Sequence, residues 1–162
     1  MNIFYFSHDP IECAQMHCDK HVVKMILEYA QLLSTAHRVL DNYTGEDCYK
    51  STHKNHPSAI WVRKSDQNYI WLYKLFIALQ DEYTYRYNKI HASSRLNDFL
   101  KEPPKNILWS FFTQPTPAMP DKYIIEGESI TSYRNYFNGE KTHLAKWAGR
   151  EEPIWYQLYN NV

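Results

Sequence analysis

Polar and apolar residues alternate between His17 and Leu40 with the period of an α-helix. At about 100° per residue, one face would carry only polar side chains, which we call the polar stripe. The polar stripe consists of His17, His21, Lys24, Glu28, Gln31, Thr35 and Arg38. The opposite face would carry Val22, Ile26, Tyr29, Ala30, Leu33, Ala36 and Leu40. This pattern predicts a long amphipathic helix that buries one face and keeps a second face rich in chemical groups.

Capping signals and further helical periodicity predict the other elements. Asp9-Pro10 begins a short helix, and Pro103-Pro104 stops another that is capped by Ser93 or Ser94. The predicted helices cover residues 10–17, 19–41, 66–87, a short stretch after Ser94, and 129–137, the last ending at Asn138-Gly139. Pro57 suits a helix start, and a short turn is expected at residues 58–64. Residues 105–126 are expected to be irregular. The sequence therefore predicts an all-α fold.

The length and composition narrow the class of protein. A chain of 162 residues with 44% hydrophobic content suits one compact domain, residues 1–162, in which residues 91–162 pack on a helical core formed by residues 1–90. No long apolar run and no secretory signal pattern is present, so we expect a cytoplasmic protein without a membrane contact. Three cysteines without paired spacing are expected to be reduced thiols.

The charge pattern bears on nucleic-acid binding. Eighteen basic and eighteen acidic residues cancel, which disfavours wholesale electrostatic binding of nucleic acid. Residues 48–65, here called the basic segment, nevertheless contain no acid. Their cations are Lys50, Lys54, Arg63 and Lys64. Asn55-His56-Pro57 precedes a predicted helix start, so this corner is either a phosphate grip or an ordinary capped turn.

The polar stripe allows several kinds of chemistry beside the plain alternative of a solvated face. Lys24 and Glu28 are spaced as an amine and its acid/base partner. An ion pair keeps a lysine protonated, so desolvation or a nearby charge such as Lys20 would be needed to activate it. His17 and His21 have the spacing of metal ligands, but no third ligand is evident. A role in proton transfer or phosphate binding suits these two imidazoles better.

Four groups of residues together resemble a known family. They are Met1-Asn2-Ile3-Phe4; Asp19-Lys20-His21 with Lys24, Glu28 and Gln31; Asn55-His56-Pro57 with Trp61; and Glu82 to Tyr87. In this order they resemble small bacterial and phage proteins that are grouped with pyrimidine-dimer DNA glycosylases of the endonuclease V type. The likeness covers roughly residues 1–90. The remainder, which includes Ser132-Tyr133-Arg134, looks like an extension found in phage-encoded relatives.

The resemblance implies an all-α domain that binds duplex DNA, extrudes a base and cleaves its N-glycosidic bond. In that family a free amino-terminal amine attacks C1′, a glutamate assists, and β-elimination then nicks the strand. This sequence departs from the pattern in two ways. Asn2 disfavours removal of Met1, which would expose the amine of the family. The alignment also places His21 where the catalytic glutamate stands, with Lys20 and Lys24 in place of arginines and Glu28 about two turns away.

The leading hypothesis is a monomeric DNA glycosylase that acts on a damaged or modified base and needs neither metal nor cofactor. Its predicted catalytic residues are Lys24, Glu28 and His21. The predicted substrate-binding residues are Asn2, His17, Lys20, Gln31, Arg38, Asn55, His56 and Trp61. One rival is a non-catalytic phage factor that binds nucleic acid or protein, such as a defence inhibitor. Another is a nucleotide-processing enzyme with a metal at His17 and His21.

Overall fold

Helices connected by loops and short 3₁₀ turns make up the protein. The computed structural model describes residues 1–160, and this part of the chain contains seven α-helices and no β-strand. The helices are α1 (Pro10–Gln15), α2 (Asp19–Asp41), α3 (Pro57–Val62), α4 (Asp66–Tyr87), α5 (Asn97–Leu100), α6 (Ser129–Glu140) and α7 (Ile154–Asn160). The predicted all-α fold class is confirmed.

The two long helices, α2 and α4, pack on each other, and α1 and α3 flank them. Their bounds match the predicted ranges. The Ser65 hydroxyl accepts a hydrogen bond from the backbone of Asn68 and caps α4, whereas Cys18, the residue before α2, makes no capping side-chain hydrogen bond. Asn42 and Asn88 end the two helices in the left-handed conformation, which asparagine tolerates well. Apolar periodicity therefore placed both helices, and a side-chain cap marks the start of α4 alone.

Several shorter elements differ from their predictions. Helix α1 ends at Gln15, so His17 precedes α2 rather than belonging to it. Helix α6 continues through Gly139, where the Tyr123 ring packs so closely that a Cβ atom would clash. A helical glycine costs only about 1 kcal/mol, which this contact offsets. Helix α7 was not predicted.

An amino-terminal arm, residues 2–6, is buried between the first helices and the later part of the chain. The side chains of Ile3, Phe4, Tyr5 and Phe6 are all at most 4% exposed. The backbone N–H of Phe4 donates to the Tyr29 hydroxyl of α2 at 3.1 Å. The Phe6 carbonyl accepts from the Arg134 guanidinium of α6 at 2.7 Å. The arm thus joins α2 to α6.

A buried charge network ties the end of the chain to α4. Glu82, which is 4% exposed, accepts hydrogen bonds from Arg86 at 2.7 Å and from Arg150 at 2.9 and 3.0 Å. Arg86 also contacts Asp19 at 3.0 Å. Burial alone would raise the pKa of Glu82, but the bonds from Arg150 and Arg86 outweigh it and lower the pKa. Such a network is sensitive to the loss of any one partner.

Two buried histidines make the fold sensitive to acid. Burial is the main cause that lowers the pKa of His17 to about 4 and that of His21 to about 3. An unfolded chain would bind protons at these residues below about pH 6.5, whereas the folded chain would not. The free energy of unfolding therefore falls as the pH drops from about 6.5, by about 1.4 kcal/mol per pH unit for each histidine.

We predict that His21→Phe makes the protein less sensitive to acid. The His21 ring stacks on Phe4 with a centroid distance of 4.1 Å, so phenylalanine keeps the packing and removes the titration. Between pH 7 and pH 5 the variant should lose about 2 kcal/mol less stability than wild type. Urea unfolding at both pH values measures this difference. His143→Phe, at an exposed position, is the control, and equal pH dependence of both variants would contradict the assignment.

Candidate functional site

The polar stripe is covered at both ends and open in the middle. His17, His21 and Thr35 are buried, whereas the Lys24 side chain is 67% exposed. Glu28 lies between these extremes, with 13% of its side chain exposed. The stripe is therefore neither a solvated face nor a continuous cleft wall. Its chemistry is restricted to the surroundings of Lys24 and Glu28.

An amine and a carboxylate meet at this open part. The amino group of Met1 lies 2.9 Å from Glu28 Oε1, and Lys24 Nζ lies 3.8 Å from Glu28 Oε2. The Met1 side chain is only 7% exposed. Oε2 is buried and accepts no hydrogen bond from the described residues. We call Met1, Lys24 and Glu28 the terminal site, in which one carboxylate oxygen binds an amine and the other is available to accept a proton.

Residues of the extension hold the chain next to this amine. The Asn2 side chain donates to the Ala118 carbonyl at 2.8 Å and accepts from the Tyr133 hydroxyl at 2.9 Å. Tyr133 is fully buried, and this burial raises its pKa well above the usual value. The phenol therefore stays a hydrogen-bond donor over the physiological pH range. We call Asn2, Ala118 and Tyr133 the Asn2 clamp, which positions the amine one residue away.

His56 lies close enough to the terminal site to sense its charge. Burial lowers the pKa of His56, and the positive amino group of Met1 and His53 lower it further. His56 Nδ1 accepts a hydrogen bond from the backbone of Ser58 at 3.0 Å and thereby caps α3. The Ser58 N–H, which could otherwise bind a phosphate, is thus already bonded to the His56 side chain. Of the two readings of this corner, the structure shows the capped turn, with Asn55 exposed beside it.

The other two histidines of interest belong to the core. Both ring nitrogens of His17 are engaged, with the Cys13 carbonyl and with the Tyr29 hydroxyl, each at 2.8 Å. The Nδ1 atom of His21 is buried without a partner among the described residues. With its pKa lowered to about 3, His21 is neutral near pH 7 and has no imidazolium proton to donate. Within residues 1–160 no three His, Cys, Asp or Glu side chains are grouped to hold a metal ion.

Two further residues predicted to bind substrate build the scaffold instead. The Arg38 guanidinium donates to the carbonyls of Tyr43 and Cys48 at 2.9 Å and of Tyr49 at 3.0 Å. Trp61 is 2% exposed, and its indole N–H donates to the Thr113 carbonyl at 3.0 Å. Both side chains donate to backbone carbonyls in loops, where no regular secondary structure supplies these hydrogen bonds. Arg38 and Trp61 therefore position loops rather than present free donors.

Lys20 and Gln31 remain at the edges of the terminal site. Lys20 is exposed one turn before Lys24, and Gln31 is partly buried one turn after Glu28. Sequence reasoning missed the pairing of Met1 with Glu28 and the role of Tyr133. The motif around Tyr133 was visible in the sequence, but nothing local indicated that its hydroxyl meets Asn2.

Comparison with known proteins adds no relative. Protein-family models, curated proteins and solved structures were each compared with the chain, and none of them matches. Among the described residues no helix has the length and apolarity needed to cross a membrane.

We predict that Glu28→Gln increases the reactivity of the Met1 amine. The carboxylate holds the amino group in an ion pair at 2.9 Å, and its replacement by an amide of the same size releases the amine to meet a reagent. Asn2→Ala should act in the same direction because it removes the clamp. Labelling with an activated ester, followed by mass spectrometry of the amino-terminal peptide, should be several-fold faster in both variants. Glu46→Gln, at an exposed carboxylate, is the control; unchanged labelling in all three variants would show that the amine is not held at Glu28.

We also predict that Arg38→Ala destabilises the protein by at least about 2 kcal/mol, since it leaves partly buried carbonyls without a charged donor. Urea unfolding measures the loss. DNA affinity measured below the unfolding transition should stay within about twofold of wild type. A stable variant with strongly weakened DNA binding would instead restore the phosphate-binding role that was predicted from the sequence.

Proposed function

We propose that the protein is a DNA N-glycosylase that releases a damaged or modified base, with the Met1 amine as nucleophile and Glu28 as its acid/base partner. The observation that carries this proposal is the 2.9 Å contact between the amine and a largely buried carboxylate. The second carboxylate oxygen has no hydrogen-bond partner among residues 1–160, which leaves it free for proton transfer. The resemblance of the motifs to the pyrimidine-dimer glycosylase family supports the same chemistry.

The Met1 amine suits the role of nucleophile better than Lys24 does. α-Amino groups lose their proton at lower pH than lysine side chains do, so they are more often neutral near pH 7. A lysine needs desolvation to become comparably nucleophilic, and the side chain of Lys24 is 67% exposed. In this proposal Lys24 orients Glu28 and attracts the phosphate backbone.

The proposed reaction follows from these positions. Glu28 takes a proton from the Met1 ammonium, and the nitrogen lone pair forms a bond to C1′ of the sugar. The C1′–N bond to the base breaks, and the base leaves with the bonding electrons and takes up a proton. Ring opening converts the adduct to an imine. Removal of a C2′ proton then permits β-elimination, which breaks the C3′–O bond and nicks the strand.

Borohydride trapping tests this proposal. Duplexes that carry a panel of modified bases are incubated with protein and reductant, and the adduct is mapped by peptide mass spectrometry. The expected adduct lies on the Met1 peptide. Glu28→Gln should lower base release by about 100-fold or more, whereas Lys24→Ala should retain most activity.

A variant extended by two residues before Met1 is the sharpest comparison, because it removes the amine from Glu28 without changing a side chain. It should lose both trapping and base release. An adduct on Lys24 would assign the nucleophile to that lysine. Undiminished base release by the extended variant would overturn the role of the amine.

The neutral net charge favours a second candidate, a non-catalytic factor that binds nucleic acid or protein. This alternative predicts measurable binding of modified DNA with complete recovery of intact bases. Base release on any duplex of the panel would eliminate it.

A further inference from the structure

Two aromatic side chains project from the surface of the extension. Phe111 and Trp109 are 84% and 83% exposed, the highest values of any large apolar side chain described. A water-exposed tryptophan and phenylalanine two residues apart gain nothing for folding. Such residues mark a surface that contacts another molecule.

The backbone that carries these rings is fixed, although it lacks regular secondary structure. The backbone N–H of Asp66 donates to the Leu108 carbonyl, and Ser110 N–H donates to the Asp66 carboxylate, both at 2.9 Å. The Ser65 hydroxyl donates to the Phe111 carbonyl at 3.2 Å. The next residue, Phe112, points inward and packs against Trp61 and Trp71. The backbone that carries the rings is therefore fixed before binding, which reduces the entropy lost on binding.

The spacing of the two rings suits a flat ligand. Trp109 and Phe111 lie two residues apart in a segment without helix or turn, and side chains at this spacing in an extended chain lie about 7 Å from each other. A stacked base lies about 3.4 Å from each of its neighbours. One base placed between two rings therefore needs the rings to be about 7 Å apart. Neither ring contacts another aromatic ring of residues 1–160. We call Trp109 and Phe111 the aromatic slot.

The charges beside the slot favour a phosphate-bearing ligand. Arg63 and Lys64 directly precede Ser65, which holds Phe111, and they end the acid-free basic segment. Lys64 is exposed, and Arg63 is partly buried, with its Nη1 atom buried and without a hydrogen-bond partner in the described part of the chain. The Asp66 carboxylate, which directly follows the basic segment, accepts hydrogen bonds from the Ser110 backbone and the Gln67 side chain. Trp109 also lines a cavity of about 480 Å³ together with Glu102 and Lys105, whose opposite charges cancel.

We infer that the aromatic slot stacks on one unpaired nucleobase of a DNA strand, while Arg63 and Lys64 contact its flanking phosphates. Aromatic rings interleaved with cations are the usual platform for single-stranded nucleic acid. Helix α3, about 9 Å long, lies between His56 and the Arg63-Lys64 pair, so a strand of a few nucleotides is long enough to follow it. The inference rests on the proposed function for its biological role, although binding is measured independently of base release.

Fluorescence anisotropy with a labelled single-stranded 12-nucleotide DNA tests the slot. Trp109→Ala and Phe111→Ala should each weaken binding by about 5- to 100-fold, the range found for the loss of one stacked base. Trp109→Phe, which keeps an aromatic ring, should stay within about threefold of wild type. Ile90→Ala, at a position that is 82% exposed, is the matched control and should change nothing.

An abasic oligonucleotide of the same length separates stacking from charge. Wild type should bind it more weakly than the 12-nucleotide DNA, and Trp109→Ala should cause little further loss. Arg63→Ala and Lys64→Ala should reduce the dependence of affinity on salt for both probes.

Equal affinities of Trp109→Ala and Ile90→Ala for the base-containing strand would overturn the slot. So would concentration-dependent self-association that Trp109→Ala abolishes, since the rings would then bind a second copy. If no duplex loses a base but the slot variants lose single-strand binding, the proposed function fails and the slot stands. If a duplex loses a base but the slot variants bind single-stranded DNA as wild type does, the slot fails and the proposed function stands.

Discussion

Burial of the amino-terminal arm is the constraint on which the candidate site depends. Ile3 and Phe6 are fully buried, and Phe4 covers the ring of His21 on α2. Removing several apolar side chains from water stabilises this arrangement by about 1.5–3 kcal/mol for each. Because the arm cannot leave the core, the amino group at its start is kept beside Glu28. A largely buried cation requires a counter-charge, and Glu28 is the carboxylate within 2.9 Å.

The arm also explains why residues of equal spacing on α2 have different roles. His21 is covered by Phe4 and becomes a neutral core residue, whereas Lys24, one turn further, extends into solvent. Glu28 lies one turn beyond Lys24, with 13% of its side chain exposed. Helical periodicity assigns all of these residues to one face, but it does not indicate which other segment of the chain covers that face.

The later part of the chain completes both candidate surfaces. Tyr133 on α6 fixes Asn2, and the segment that Trp61 anchors carries Trp109 and Phe111 outward. An irregular segment can hold such positions because side chains such as Asp66 and Asn68 provide the hydrogen bonds that a sheet would otherwise supply. The extension therefore contributes to the site as much as to stability.

The sequence alone determined the all-α class and the bounds of α2 and α4, because helical periodicity acts within a few residues, and it singled out Lys24 and Glu28 as candidates. The tertiary structure decided which groups meet there. Tyr133 and Asn2 are 131 positions apart, and the contact of Met1 with Glu28 depends on the path of the arm. The burial of His17 and the backbone bonds of Arg38 arise in the same way. These contacts were not predictable, since they depend on how distant apolar surfaces pack rather than on local propensity.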